Sequence, residues 1–212
     1  MRPSLQTSPV KSLTVLEGEE ARLYCRVEGG GGDEKLLWRR KGGLLPTGEE
    51  FIVGCVIIFS SVTPEHGGTY QCMTEEEYGG EEVTREVELY VEYAPVIEIE
   101  QTHIKTEYHI TCTVHGYPPP TVVWLKDGHP VEEDSEGLVM TRSGSSQTLI
   151  RQDSQEGEYG CQAANKRGVV TKYAGIQGRN NYTSYSSKVI RYSTQYSYRT
   201  TFKIKQDSNN SF

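Results

Sequence analysis

The stretch HGGTYQC, His66–Cys72, places a tyrosine two residues before a cysteine and two after a glycine. The same Gly-x-Tyr-x-Cys order returns in EGEYGC, Glu156–Cys161. Reading backwards from each site exposes a longer frame. Cys25 lies 47 positions before Cys72, and Trp38 follows Cys25 by 13. Cys112 lies 49 positions before Cys161, and Trp124 follows Cys112 by 12. The chain therefore repeats one frame, Cys…Trp…Tyr-x-Cys.

The neighbours of that frame read as strands. Ala21, Leu23, Cys25 and Val27 alternate with polar residues, as do Ile110, Cys112 and Val114. Period-two alternation puts each set on one face, so the cysteines point inward with the apolar set. In TVVWLKDG, Val122 and Trp124 share a face, and Lys126–Gly128 supplies a tight turn. Val87, Leu89 and Val91 form another one-sided strand. Composition agrees: 212 residues, 22 of them glycine, suit one or two domains of short strands.

Twice over, the frame resembles the immunoglobulin superfamily. The carriers are LEGEEARLYC, LLWRRKGG and GGTYQC in the first copy, and ITCTVHGYPPPTVVWLKDG and GEYGCQAANKRG in the second. The kind is the tandem I-set-like domains of cell-surface adhesion proteins, of the lachesin, hemolin and nectin-like sort. The resemblance implies an all-β fold of two tandem β-sandwiches plus a C-terminal tail. It divides the chain into an N-terminal extension (1–8), domain 1 (9–93), domain 2 (94–177) and a Tyr/Ser-rich basic tail (178–212). It reads VEYAPVIEIE, from Val91, as the linker. It pairs Cys25 with Cys72 and Cys112 with Cys161, bridging strands B and F. It packs Trp38 and Trp124 on those bridges, and assigns Tyr70 and Tyr159 to the corner between strands E and F. Such bridges imply an oxidising compartment, hence an extracellular or cell-surface location. Intracellular muscle-type domains resemble the same pattern, so a cytoplasmic structural protein stays open as the alternative. The ectodomain of a kinase-linked receptor is a third reading.

Two departures from the family pattern stand out. His66 and Gln155 sit four residues before the tyrosines, where the family usually has Asp, so the corner charge pair is not expected. The second copy is also shorter by about three residues between TLI and Tyr159, which predicts a distorted lower end. Cys55 is left without a partner. In GCVIIF it alternates with Ile57 and Phe59, which predicts a buried free thiol.

No catalytic motif is present: no G-x-S-x-G, no H-E-x-x-H, no P-loop and no dinucleotide fingerprint. His103, His109 and His115 lack zinc spacing. No enzyme, cofactor, metal or small-molecule substrate is expected. A net charge of -7 argues against a nucleic-acid binder. The candidate binding constellation lies in domain 1. TEEEYGGEEVTRE sets Glu75, Glu76, Glu77, Glu81 and Glu82 around Tyr78 in the F–G hairpin, and WRRKGG sets Arg39, Arg40 and Lys41 at the end of strand C. In the resembled sandwich F, G, C and C′ share a sheet. Its exposed face would carry an acidic and a basic edge, complementary to a second copy in antiparallel. The expected partner is another cell-surface protein, a second copy included. The proline run in YPPPTVV, Tyr117–Val123, is expected to shape the B-to-C crossing.

No apolar run reaches the ~20 residues of a membrane span, and MRPSLQTSPVKS carries no apolar leader core. A secreted reading therefore needs a leader already removed. The tail differs in charge: residues 178–212 hold six Lys/Arg and one acid, which leaves 16 Lys/Arg against 28 Asp/Glu elsewhere. It carries candidate glycosylation triplets at Asn181 and Asn209. Residues 192–204 alternate as a strand would, without an evident pairing partner; no fixed fold is expected there, with a partner-binding strand that adds to a sheet edge or a piece of a further domain as the alternatives.

Overall fold

A computed structural model describes residues 4–29, 35–74, 84–132, 138–152 and 156–174 with side chains, and 175–176, 185–191 and 199–202 as backbone. The chain folds as two compact units, Met1–Glu92 and Tyr93–Phe212. Among the described residues the structure is strand and turn, with one 3-10 turn at Pro64–His66.

The first unit holds β1 (Ser4–Ser8), β2 (Ser12–Leu16), β3 (Ala21–Glu28), β4 (Leu36–Arg40), β5 (Phe51–Val53), β6 (Val56–Phe59), β7 (Gly68–Thr74) and the start of β8 (Thr84–Ile104). One sheet runs β1-β3-β6. The other runs β8-β7-β4-β5, with β2 parallel to β8. The inward residues of both sheets, among them Leu23, Cys25, Trp38, Tyr70, Cys72, Val87 and Leu89, form one buried cluster. Burying a side chain of leucine size stabilises by roughly 1.5–3 kcal/mol, so the alternation seen in the sequence is the main driving force here.

The second unit holds the rest of β8, from Tyr93, with β9 (Glu107–Tyr117), β10 (Thr121–Lys126), β11 (His129–Pro130), β12 (Val139–Ser143), β13 (Ser146–Gln152), β14 (Gly157–Asn165), β15 (Gly168–Ile176), β16 (Tyr185–Arg191) and β17 (Arg199–Phe202). Here β8 pairs with β9, β9 with β13 and β13 with β12, while β11-β10-β14-β15-β16-β17 form the opposing sheet. Asp127 and Gly128 both have positive φ, 50° and 82°. That is the requirement of the type I′ turn joining β10 to β11. Ile97, Ile110, Cys112, Trp124, Leu149, Tyr159 and Cys161 belong to its core.

Both bridges are formed, with Cα–Cα distances of 6.4 Å for Cys25–Cys72 and 6.3 Å for Cys112–Cys161. Trp38 stands directly opposite Cys72 across the sheet, and Trp124 directly opposite Cys161. The repeat in the sequence is thus a repeat in three dimensions.

Not every expectation holds. Cys55 is free but exposed. It precedes β6 in the turn that follows Gly54 (φ 144°), so the alternation of Ile57 and Phe59 does not extend to it. The segment between Ile150 and Tyr159, expected to be distorted, runs through residues 153–155, which lie outside the described residues, and its described part begins with Arg151. Arg151 is buried there with its guanidinium 4.3 Å from the Tyr108 ring centroid and 5.4 Å from that of Tyr159. Gln155 lies outside the described residues. The segment Val91–Glu100, read as a linker, holds the boundary between the two units, at Glu92 and Tyr93, and its backbone is strand throughout. In the tail, 192–198 and 203–204 lie outside the described residues, but Tyr185–Arg191 and Arg199–Phe202 are paired strands.

Candidate protein-binding face

Register places the outward face of the first unit residue by residue. Directly opposed residues in neighbouring strands share a face. Val53, Leu37, Met73 and Thr84 form one outward row across β5, β4, β7 and β8, and Phe51, Arg39, Gln71 and Glu86 form the next. Phe51 and Val53 are 52% and 61% exposed. They sit on β5, the last strand of this sheet. Their neighbour Ile52 is opposite Trp38 and packs against the core. A three-residue strand with two exposed apolar side chains beside the half-buried Leu37 makes an apolar strip, the usual mark of an interaction surface when it is contiguous, while Met73 in the same row is buried.

Polar groups border that strip in one ordered chain. Arg39 Nε donates to Gln71 Oε1 at 2.7 Å, Gln71 Nε2 donates to Glu86 Oε1 at 2.7 Å, and Lys41 Nζ donates to the same oxygen at 2.9 Å. The hydrogen bonds from Lys41 and Gln71 hold the Glu86 carboxyl below its ordinary range. Glu86 is exposed, so solvent screens the pair and its worth lies in ordering the face rather than in stability.

The sequence grouped Arg39, Arg40 and Lys41 on this face. Only Arg39 and Lys41 belong to it. Arg40 is opposite Tyr70, on the inward parity, and its Nη2 donates to the Gly67 carbonyl at 2.5 Å. Glu75, Glu76, Glu77, Tyr78, Glu81 and Glu82 lie outside the described residues, as do Asn181 and Asn209. Leu37, Phe51, Val53 and Met73 were missed by the sequence reading. The signal was there in FIV, where Phe51 and Val53 flank the inward Ile52.

Arg40 reaches the corner around His66 and Tyr70 through Gly67. The Tyr70 hydroxyl donates to the His66 carbonyl at 2.7 Å, and burial pushes that hydroxyl up to about 12, with the Arg40 charge acting against it. His66 takes over the acceptor role of an acid: its Nδ1 accepts the Thr63 backbone N–H at 2.9 Å. The Arg40 guanidinium at this corner meets the Gly67 backbone carbonyl.

In the second unit the proline loop has a structural job. Asn165 Nδ2 donates to the carbonyls of Tyr93 and Pro118, both at 2.9 Å, tying the loop between β9 and β10 to β14. His103 lies on β8, and His109 and His115 lie on β9. Among the described residues no group of His, Cys, Asp or Glu could hold a metal ion, and no helix is long and apolar enough to cross a membrane.

Comparison with known proteins agrees with this geometry. Residues 2–75 match the family described as Immunoglobulin domain, and residues 97–177 match Immunoglobulin I-set domain. Lachesin of Schistocerca americana is 30% identical over 177 residues, covering 78% of this chain and 50% of that protein. Protein amalgam of Drosophila melanogaster is 29% identical, covering 78% and 53%. Neural cell adhesion molecule 1 of Bos taurus is 27% identical, covering 72% and 19%. The chain thus spans about half the length, or less, of these curated relatives. Among solved structures, one from a complex of Dpr2 Ig1-Ig2 with DIP-Theta Ig1-Ig3 superposes with a TM-score of 0.67 at 23% identity, covering 81% of this chain and 63% of that one. A tandem pair of titin immunoglobulin domains superposes with a TM-score of 0.59 at 18% identity, covering 82% and 95%. At these identities the structures speak for the fold alone.

Proposed function

The chain belongs to the immunoglobulin superfamily, and from that premise we propose that it is the protein-binding part of a cell-surface or secreted adhesion or receptor protein. It is a binding module and not an enzyme. The observation that carries the proposal is the pair Phe51 and Val53, held outward beside the half-buried Leu37 on the terminal strand of a sheet that the Cys25–Cys72 bridge ties to its partner sheet. Binding would bury this strip, while the ordered Arg39–Gln71–Glu86–Lys41 chain sets register at its border. Charged groups at such a rim act on specificity and association rate more than on affinity. The partner is another cell-surface protein, with a second copy of this chain among the candidates. The two bridges and the adhesion proteins among the relatives support an extracellular location.

The test is a binding array. A multimerised form of the chain is passed over immunoglobulin-type ectodomains, this chain included, alongside cytosolic filament proteins. The reading expects at least one ectodomain to bind. Binding confined to the filament proteins, with all five thiols free by intact mass in the native source, would favour the intracellular alternative.

A further inference from the structure

The proline run after β9 forms one wall of a pocket. Pro119 and Pro120 line a space of about 370 Å³ within the second unit, near the small end of the range for ligand sites. Val114 and Val122 line it too, the first a member of the buried core and the second packed against it. The walls are fixed before anything binds. Asn165 Nδ2 holds the Tyr93 and Pro118 carbonyls, both at 2.9 Å. A Cβ on Gly116 would come within 2.8 Å of Pro120 Cγ, so any larger residue there would push the proline aside. Ser145 and Gln147 complete the lining. The turn that carries Ser145 is tied as well, since its carbonyl accepts the Val114 N–H at 2.9 Å. Gln147 is the register partner of Cys112, in the inward row that Leu149 and Ile110 continue, all three of them buried. It thus places an amide where the rest of the row is apolar, and among the described residues that amide has no hydrogen-bond partner.

We propose that this pocket takes a tyrosine side chain of a partner protein. An aromatic ring has a negative face. The C–H bonds of proline turn positive hydrogens outward, so a wall of two prolines is complementary to a ring face, as proline-rich ligands are to the aromatic grooves that bind them. A saturated sugar ring has no such face to offer. An aliphatic side chain would cover Val114 and Val122 but leave the Gln147 amide shut in without a partner, which is unfavourable. A phenol meets both demands. Its ring lies against the prolines and valines, and its hydroxyl reaches Gln147, whose amide can donate to it or accept from it. Tyrosine is enriched at interfaces for this reason, being apolar in body and polar at the tip. A preformed pocket also needs little ordering on binding. The proposal does not rest on the face of the first unit, since every residue of the pocket belongs to the second.

The test uses the full chain and small probes of each class: N-acetyltyrosinamide, N-acetylphenylalaninamide, N-acetylleucinamide and a methyl glucoside. Each is titrated while the methyl signals of Val114 and Val122 are followed by NMR. The expected result is saturable shifts with the tyrosine probe, with a dissociation constant in roughly the millimolar range for so small a ligand. The phenylalanine probe, one hydrogen bond poorer, should bind roughly three- to tenfold more weakly, and the leucine and sugar probes should not saturate. Gln147→Leu should abolish the preference for tyrosine over phenylalanine. Val122→Phe, which fills the pocket, should abolish binding, and Ser145→Trp repeats that test from the other side should Val122→Phe disturb folding. The proposal is overturned if the tyrosine probe gives no saturable shifts, if the leucine or sugar probe binds as tightly, or if the tyrosine preference survives Gln147→Leu.

Discussion

The Tyr70 hydroxyl donates a hydrogen bond to the His66 carbonyl at 2.7 Å, across four residues of backbone. Tyr70→Phe removes the donor and leaves a part-buried carbonyl without it. The expected cost is about 1–2 kcal/mol, with a fall in Tm of roughly 4–8 °C per kcal/mol for a domain this size, measured by calorimetry. Burial raises the hydroxyl to about 12. A raised value contributes stability below the ordinary tyrosine pKa of about 10, and loses it as pH rises through the folded value. Stability of the wild type should therefore drop across that alkaline window by more than that of Tyr70→Phe. Equal alkaline losses would remove the corner from the account.

Arg151 is the floor of the second unit, stacked over Tyr108 and Tyr159. Arg151→Ala removes both contacts and opens a cavity, so a loss of about 2–4 kcal/mol is expected. Arg151→Met keeps most of the volume and should cost less. Denaturant unfolding of the two variants gives the comparison, and a neutral Arg151→Ala would show that the guanidinium does not pack there in solution.

Glu86 should titrate below an ordinary glutamate, since Lys41 and Gln71 both donate to it. With a depressed folded value, its contribution is present above about pH 4.3 and is lost as pH falls through the folded value. Carboxyl NMR should show the midpoint rising in Lys41→Met. An unchanged midpoint would mean that the polar border of the face is not ordered.

Cys55 is exposed and free. One thiol per native chain should react with a water-soluble aromatic disulfide reagent, without denaturant and without loss of either bridge. A thiol that reacts only after unfolding would restore the buried placement that alternation suggested.

The core was legible because its signal is periodic. Cys25, Trp38, Tyr70 and Cys72 recur as Cys112, Trp124, Tyr159 and Cys161, and period two around each told which residues point in. What escaped the sequence depends on where strands begin and which edge they join. Cys55 alternates with Ile57 in sequence, yet a positive-φ glycine before it starts the strand one residue later. Arg40 stands next to Arg39 in the chain but on the other side of the sheet. Phe51 and Val53 form an exposed strip only because β5 is terminal in its sheet, a fact of topology. The pairing of Tyr185–Arg191 with β15 was invisible for the same reason: nothing local names the edge that a strand joins.

The apolar strip of the first unit is the proposed binding face. Its most direct measurement is equilibrium binding of the chain to the ectodomain recovered from the array, for wild type, Phe51→Asp, Val53→Asp and Ile58→Asp. Ile58 is 50% exposed on β6, in the opposite sheet, and serves as the control for an exposed apolar residue off the face. The expected result is at least about a tenfold loss, ~1.4 kcal/mol, for each face variant, with Tm preserved, and no loss for Ile58→Asp. Undiminished binding by Phe51→Asp and Val53→Asp, or a loss confined to Ile58→Asp, would contradict it.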